Sequence, residues 1–234
     1  MVKVIFKSEP KKSSYLITAF QTVGFISILA VKYLEEKNII REIGSITLEN
    51  DEPIAVIEDG EVGFPIKIYD GPSSIFVSSQ FPVAKESVRD LISELFEIYK
   101  KYDLKGIISL DGMTVEKGKD TSDVYYVSTS DKTKIDGAKK LEEGAMVGLS
   151  AELSLRAKMG GIPLTVLMAE THLQIPDGLA AASLLGIIKN ITGISVDTKE
   201  LISEYKETIS KINSIMSDIA KKRKNERPVS EIYG

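Results

Sequence analysis

The sequence contains no cysteine and a single histidine, His172. Without thiols the chain has no disulfides, no thiolate metal site and no cysteine nucleophile, which fits an intracellular protein. One imidazole also excludes a cluster of histidine ligands. We therefore expect no metal and no cofactor. Folding then depends on a hydrophobic core, which a chain of 234 residues can bury without a covalent staple.

Long apolar runs are missing as well. The longest, at residues 23–31, falls far short of the roughly 20 residues that a membrane-spanning helix requires. The first twelve residues lack the apolar region and the cleavage site of a signal peptide. The net charge is only −4, so no strong field singles out nucleic acid as a partner. These features predict a cytoplasmic protein that binds neither membranes nor nucleic acid.

Short β-rich segments alternate with helical segments along most of the chain. Helices are predicted at residues 22–37, 86–102, 148–158 and 178–190. The segments at 106–110 and 165–169 are apolar without alternation, as expected for strands that are covered on both faces. Strands between residues 43 and 79 have no helical pattern between them, which indicates an antiparallel or mixed portion. This alternation of strands and helices predicts a three-layer α/β/α sandwich with a mostly parallel, mixed central sheet.

The last fifth of the chain has a different pattern. Asp197 or Thr198 can cap a helix. Apolar residues then recur in alternating steps of three and four, at Ile202, Tyr205, Ile209, Ile212, Met216 and Ile219. This seam is typical either of a long helix lying on its own domain or of helices that pair two protomers, and the spacing leaves both open. The predicted divisions are an α/β core at 1–197, a long helix at 198–226 and a flexible tail at 227–234.

The tail ends in Ile232, Tyr233 and Gly234. Chain ends without a partner usually fray into solvent. There the apolar surface of an aliphatic side chain and an aromatic ring is exposed to water, which is unfavourable and is offset by no local contact. A chance match to an apolar-Tyr-any ending occurs at roughly 2%, so the ending alone is a modest signal. It indicates a tail that binds in a pocket of a partner.

Polar residues follow the predicted strand at 163–169. Glu170 and His172 face the same side if that strand continues, and Asp177 lies just beyond them. Open α/β sheets place their sites at the carboxyl ends of parallel strands, so an acid–base pair is one interpretation. No serine or threonine can be tied to His172 by spacing, and Asp177 before a helix is also what N-capping requires, which favours a structural role. Near Gly24, neither the dinucleotide nor the Walker pattern is present.

Two stretches and the ending resemble the archaeal members of the proteasome assembly chaperone family (PAC2-like). The stretches are 20–34 and 144–197. The matching residues are Gly148 in a helix, Leu167, Ala169, Glu170 and Thr171 at the end of a strand, Pro176, Asp177, Ala180 and Ala181 at the next helix, and then Val196 and Asp197. The Gly-Phe-Pro-Gly-like turn of many members is replaced here by residues 19–22. Ile232, Tyr233 and Gly234 look like the hydrophobic-Tyr-any (HbYX) tail of the B-type archaeal homologue.

The resemblance implies a protein that inserts its tail between α-subunits of the proteasome core particle, where a lysine receives the terminal carboxylate. It implies an ATP-independent activator or assembly chaperone, not an enzyme, and a homo-oligomer, such as a tetramer, that presents several tails. One alternative is an assembly chaperone that binds free α-subunits by its core surface, with the tail a minor anchor. A remoter alternative is an α/β hydrolase or nucleoside-handling enzyme around Glu170, His172 and Asp177.

Overall fold

The computed structural model describes residues 2–48, 54–58, 60–116, 122–130, 133–171 and 175–211. The strands are β1 (Val2–Phe6), β2 (Tyr15–Ala19), β3 (Arg41–Leu48), β4 (Val56–Glu58), β5 (Glu61–Gly63), β6 (Ile66–Asp70), β7 (Ser74–Ser79), β8 (Gly106–Thr114), β9 (Val124–Ser128), β10 (Lys139–Lys140) and β11 (Leu164–Thr171). The helices are α1 (Ile26–Glu36), α2 (Val88–Lys101), α3 (Leu149–Met159), α4 (Gly178–Thr192) and α5, which covers residues 199–211.

The large sheet has nine strands in the order β1-β3-β6-β7-β2-β8-β11-β9-β10, and β4 and β5 form a separate hairpin. Its central strands β7, β2, β8 and β11 run parallel to one another. Strands β1, β3, β6 and β7 pair antiparallel, as does β9 with β11. The sheet is therefore mixed around a parallel centre. The sequence predicts the antiparallel portion of β3, β6 and β7, whereas β1 and β9 pair antiparallel outside the predicted range.

Helices cover both faces of the sheet. Helices α1, α4 and the start of α5 pack on one face in a cluster that includes Leu34 and Leu184. Helices α2 and α3 pack on the other face with Leu91 and Leu153. This confirms the predicted three-layer α/β/α sandwich. Among the helices that the structure describes, none is both long enough and apolar enough to cross a membrane.

Strand β8 shows why the central strands lack alternation. Ile108 and Leu110 belong to the cluster beneath α1 and α4, whereas Ile107 belongs to the cluster beneath α2 and α3. Successive side chains of a strand point to opposite faces, so a strand that is covered on both faces requires an unbroken apolar run. The interpretation of residues 106–110 as a doubly covered strand is confirmed.

The first helix begins later than predicted. Instead of a helix from residue 22, the chain makes a 3-10 turn over Val23–Phe25, and α1 starts at Ile26. The cause is a pair of left-handed residues, Gly24 at φ 66° and Phe25 at φ 50°, a conformation that a right-handed helix cannot include. The other three predicted helices agree with α2, α3 and α4 within two residues. The short strands β5 and β10 are not among the predicted ones.

Gly44 marks a close contact between β3 and β1. A Cβ atom at this position would lie 2.3 Å from the carbonyl oxygen of Ile5 and 3.1 Å from Cα of Phe6. The obstacle is backbone, which cannot rotate away as a side chain can. We expect Gly44→Ala to push β1 from its register and to lower the free energy of unfolding by about 1–3 kcal/mol, measured by urea denaturation.

Gly186 in α4 provides the matched control. A Cβ atom there would meet nothing within 4 Å, and the position is exposed in the interior of a helix. Alanine has the higher helix propensity, so Gly186→Ala is expected to raise the free energy of unfolding by about 0.5–1 kcal/mol. Equal effects of the two substitutions would contradict the close contact between β1 and β3.

Candidate functional site

The parallel strands β2, β8 and β11 end at one edge of the sheet, which we call the carboxyl edge. Ligands of open α/β sheets bind at this edge, in the space between diverging connections. Here the turn after β2 lies directly against β8, because a Cβ atom on Gly112 would be 2.7 Å from the carbonyl oxygen of Val23. The backbone therefore fills the space between the ends of β2 and β8.

Asp177 joins three segments at the carboxyl edge. Its side chain is buried and accepts a 2.7 Å hydrogen bond from the hydroxyl of Thr171 at the end of β11. It accepts another, of 3.1 Å, from the backbone N–H of Ala180 in the first turn of α4. The backbone N–H of Asp177 donates to the carbonyl oxygen of Gly24 at 2.9 Å. One carboxylate oxygen thus holds the start of α4 against β11 and the other caps the helix, while the backbone N–H holds it against the turn after β2.

This geometry supports the structural role predicted for Asp177. Glu170 precedes Thr171 in β11, so the two side chains point to opposite faces of the sheet. The backbone N–H of Glu170 donates to the carbonyl oxygen of Asp123 at 2.9 Å. The structure therefore does not bring the carboxylates of Glu170 and Asp177 together. His172 lies outside the described residues, and its role stays a prediction.

Asp111, at the carboxyl edge in β8, is a titratable residue that the sequence analysis does not single out, because Asp-Gly is typical of a turn. Its carboxylate accepts a 2.7 Å hydrogen bond from the N–H of Gly112. Burial raises the pKa of Asp111, and hydrogen bonds from Ser150 and Gly112 oppose the rise. Asp111 thus links β8 to the first turn of α3. Across the described ranges, no three Asp, Glu, His or Cys side chains are grouped to hold a metal ion.

The chain that leads into α5 is attached to α1. The hydroxyl of Tyr33 donates a 2.7 Å hydrogen bond to the carbonyl oxygen of Asp197, and burial raises the pKa of this tyrosine. Lys37, which follows the last residue of α1, forms an ion pair with Glu200. These contacts fix the start of α5 beside the C-terminal half of α1.

Further along, α5 passes the start of α4. A Cβ atom on Gly178 would lie 2.9 Å from Cβ of Tyr205 and 3.0 Å from the carbonyl oxygen of Leu201, so only glycine allows this approach. Because α4 begins at the carboxyl edge, this contact places α5 at that edge. The described part of the helix continues past it to residue 211.

The structure describes three of the six predicted seam residues. Ile202, Tyr205 and Ile209 are half-buried, and Ile202 packs against the core beneath α1 and α4. Leu201, which the sequence analysis missed, is the buried residue of this helix. The first turns of α5 thus lie on their own domain. Outside the described residues lie Ile212, Met216, Ile219, Ile232, Tyr233 and Gly234, whose predicted roles stay predictions.

A stripe of apolar side chains is exposed beside and along α3. Val147, Ala151, Leu155 and Met159 follow one another at intervals of four residues, which places them on one side of the helix. Val147, Leu155 and Met159 are 88%, 64% and 87% exposed. An open cavity of about 330 Å³ lies between this stripe and Val127 of β9. Exposed apolar surface of this kind marks contact sites for other proteins.

Together these features define an α/β/α sandwich protein with a helix packed across α1 and α4 and an exposed apolar stripe on the opposite face. The PAC2 family model matches residues 16–216, which is most of the chain. The chain belongs to the PAC2 family, and the family resemblance of its sequence is confirmed.

Solved structures share the fold over nearly the whole chain. The monoclinic form of Pyrococcus furiosus PbaA, described as an archaeal homolog of proteasome-assembly chaperone, has a TM-score of 0.83 at 23% identity and covers 100% of this chain and 99% of that chain. PbaB of the same organism is described as an archaeal proteasome activator. It has a TM-score of 0.80 at 19% identity and covers 92% of this chain and 98% of that chain. An uncharacterized protein of Methanocaldococcus jannaschii is 21% identical over 223 residues, 93% of this chain and 92% of that protein.

The Asp177 junction can be tested by substitution. Asp177→Ala removes the acceptor of the Thr171 hydroxyl and the N-cap of α4, so the free energy of unfolding is expected to fall by about 1–3 kcal/mol. Asp177→Asn keeps an oxygen for the N-cap and should cost less. Urea denaturation measures both. An alanine variant as stable as the unmodified protein would show that the junction contributes nothing.

Proposed function

We propose that this protein binds the proteasome core particle through its C-terminal tail and acts as an ATP-independent activator or assembly chaperone, in the cytoplasm and without enzymatic activity. The observation that carries the proposal is the packing of α5, whose Leu201 and Tyr205 lie against Gly178 at the carboxyl edge, in a chain whose sequence ends in Ile232, Tyr233 and Gly234. Similarity of fold to PbaA and PbaB supports the same partner.

The three terminal residues suit insertion between neighbouring subunits of the α-ring. Tyr233 offers a large apolar face and a hydroxyl for a buried acceptor. Ile232 fills an adjoining apolar space. Gly234 has no side chain, so the carboxylate can approach a lysine closely and accept a charge-assisted hydrogen bond. Only the end of a chain carries this carboxylate, which explains why the motif must be terminal.

A single tail binds weakly. Burying roughly 150 Å² of tyrosine at about 25 cal/mol per Å² contributes about 4 kcal/mol, before the costs of ordering the tail and of association. A homo-oligomer, such as a tetramer, makes the later contacts intramolecular and gains about 10² to 10⁴ in avidity. The proposal therefore includes self-association. Tails that bind the open α-ring more tightly than the closed one shift it toward the open state without ATP.

The remoter alternative, a hydrolase or nucleoside-handling enzyme around Glu170, His172 and Asp177, has weaker support. The carboxylate of Asp177 is engaged with Thr171 and with the start of α4, and Glu170 lies on the other face of β11. A general base needs a free lone pair within reach of its substrate. We therefore favour a binding function for the chain.

The tail is tested with purified core particle and a fluorogenic peptide. Deletion of residues 232–234 and the substitution Tyr233→Ala are each expected to reduce stimulation of peptide hydrolysis at least tenfold, because each removes the apolar contact of the ring. Tyr233→Phe is the matched variant. It keeps the apolar face and is expected to retain most of the stimulation.

The role of the carboxylate is tested in the same assay by adding one residue after Gly234. This leaves every side chain in place but moves the charge by about 3.5 Å, so stimulation should fall as it does for the deletion. Equal stimulation by the full-length and the truncated proteins would contradict the tail mechanism.

A second candidate function is an assembly chaperone that binds free α-subunits by its core surface. The observation that favours it is the apolar stripe of Val147, Leu155 and Met159. The stripe belongs to the layer of α2 and α3, opposite α5, so it can act without the tail. These side chains are exposed and can be made polar without opening a cavity in the core.

Pull-down experiments separate the two functions. With the tail mechanism, the variant Leu155→Ser/Met159→Ser captures finished core particle as well as the unmodified protein does, whereas the chain lacking residues 232–234 does not. The opposite result has the stripe variant losing unassembled α-subunits while the truncated chain still captures them. That outcome would replace the first function with the second.

A further inference from the structure

Strand β1 is an edge strand of the large sheet. It pairs antiparallel with β3, and in the described part of the chain no other strand pairs with its outer side. Alternate residues of an edge strand point their backbone N–H and C=O groups away from the sheet. The strand contains neither proline nor glycine, so each of its five residues carries both a backbone donor and a backbone acceptor in a regular extended conformation.

The pairing with β3 determines which residues of β1 bond outward. Just beyond the end of β1, Lys7 continues the register opposite Ile43, and its backbone N–H donates to the carbonyl oxygen of Ile43 at 2.7 Å. Residues of an antiparallel pair alternate between those that exchange hydrogen bonds with the partner strand and those that do not. Lys3 and Ile5 therefore bond to β3. The groups that point outward belong to the three alternate residues Val2, Val4 and Phe6.

The side chains of these three residues form one apolar row. Because they alternate along the strand, Val2, Val4 and Phe6 share the face of the sheet that α2 covers, where they lie half-buried against the core cluster of α2 and α3. The ring of Phe6 packs against Tyr102, which follows α2, with the ring centroids 5.9 Å apart. A strand added at this edge would cover the open side of the row and remove more apolar surface from water.

An edge of this kind binds an extended strand, and the sequence of β1 suits a second copy of itself. Antiparallel pairing centred on Val4 places Val4 opposite Val4 of the second copy, and Phe6 opposite Val2 of the second copy. Two β-branched residues, and an aromatic with a β-branched residue, are both favourable cross-strand pairs. On the other face of the sheet, Lys3 lies opposite Ile5 of the second copy, so no two charges of the same sign oppose each other.

Other registers of this pairing are less favourable. A shift of one residue turns the apolar row to the opposite face of the sheet. A shift of two residues one way places Lys3 opposite Lys3 of the second copy, and like charges directly opposite each other are destabilising. A shift of two residues the other way places Val2 opposite the polar Ser8, which lies outside the strand. The register centred on Val4 pairs all five residues of β1 without opposing charges.

We propose that the outer edge of β1 binds β1 of a second copy of this chain, which joins the two large sheets across a two-fold axis at Val4. Antiparallel strands in one sheet are related by an axis perpendicular to that sheet, so the carboxyl edges of the two copies face opposite ways. The contact is therefore distinct from one that gathers C-terminal tails on one side of an assembly. It goes beyond the proposed function and does not rest on it.

The absence of cysteine makes a direct test possible. Full-length Val4→Cys is oxidised without core particle and separated on a non-reducing gel. At the two-fold axis the two Cα atoms lie about 5.5 Å apart, within the range of a disulfide, so a covalent dimer is expected. Val2→Cys is the matched control, because Val2 is half-buried on the same face but lies about 13 Å from Val2 of the second copy. We expect Val4→Cys to cross-link at least tenfold faster than Val2→Cys.

The register is tested by mixing two different chains. Val2→Cys and an affinity-tagged Phe6→Cys are expected to form a disulfide-linked dimer of tagged and untagged chains, because these two positions face each other across the axis. Adding Val4→Pro to both chains is expected to slow this cross-linking at least tenfold, since proline removes the backbone donor at the centre of the contact.

Val4→Pro is expected to leave each copy folded. The N–H of Val4 points away from β3, and proline is tolerated at such positions of an edge strand. Ile5→Pro is the matched control, because it removes an N–H that bonds to β3. Urea denaturation is expected to show a lower midpoint for Ile5→Pro and a midpoint close to that of the unmodified protein for Val4→Pro.

Three results would overturn the proposal. The first is a Val4→Cys dimer that forms no faster than the Val2→Cys dimer. The second is a mixture of Val2→Cys and Phe6→Cys that yields no dimer of tagged and untagged chains. The third is a Val4→Pro chain that is destabilised as much as Ile5→Pro, which means that Val4 bonds to β3. Because core particle is absent and the tail is unchanged, none of these results bears on tail docking.

Discussion

The hydrogen bonds of Asp177 join the end of β11, the start of α4 and the turn after β2. One buried carboxylate binds the end of β11 through Thr171 and caps α4, while the backbone N–H of the same residue holds the turn at Gly24. The start of α4 is thereby fixed relative to the sheet. Helix α5 rests on that start at Gly178, so its position on the domain depends on the same junction.

The exposed features described above lie on opposite layers of the domain. Helix α5 and the hairpin of β4 and β5 lie at the carboxyl edge in the layer of α1, whereas the apolar stripe with Leu155 lies in the layer of α3. The carboxyl edge, where an enzyme of this architecture keeps its substrate, is instead filled by backbone between Val23 and Gly112. Space that binds ligands in other sheets is used here to pack the turn after β2 against β8.

The sequence predicts most of the fold because its signals are local. The unbroken apolar run of β8 requires cover on both faces, and the cap at Asp177 with the apolar periodicity after it predicts α4 within two residues. Strand β10 has two exposed lysines and no pattern to detect. The delayed start of α1 depends on Phe25 in a left-handed conformation, which no propensity suggests.

The candidate site was less predictable because it depends on contacts between distant residues. The sequence identifies Asp177 as a helix cap but does not show that its partners are Thr171 and Gly24. The seam spacing likewise identifies Ile202 and Tyr205 as one face of a helix without indicating what covers them. Of the hairpin of β4 and β5, the sequence predicts only the first strand, because alternation over the three residues of β5 cannot be distinguished from chance. The ion pair between Glu58 and Lys67 that anchors the hairpin joins residues that the sequence does not connect.

Gly178 sets the place where the C-terminal helix contacts the domain. The glycine is the point on which α5 rests, at Leu201 and Tyr205. If the helix continues to residue 226, as the sequence predicts, about 30 Å of it extends beyond this contact. A tilt of about ten degrees there would move the far end by about 5 Å. One absent methyl group thus determines how closely α5 approaches α4, and with it the tilt of α5.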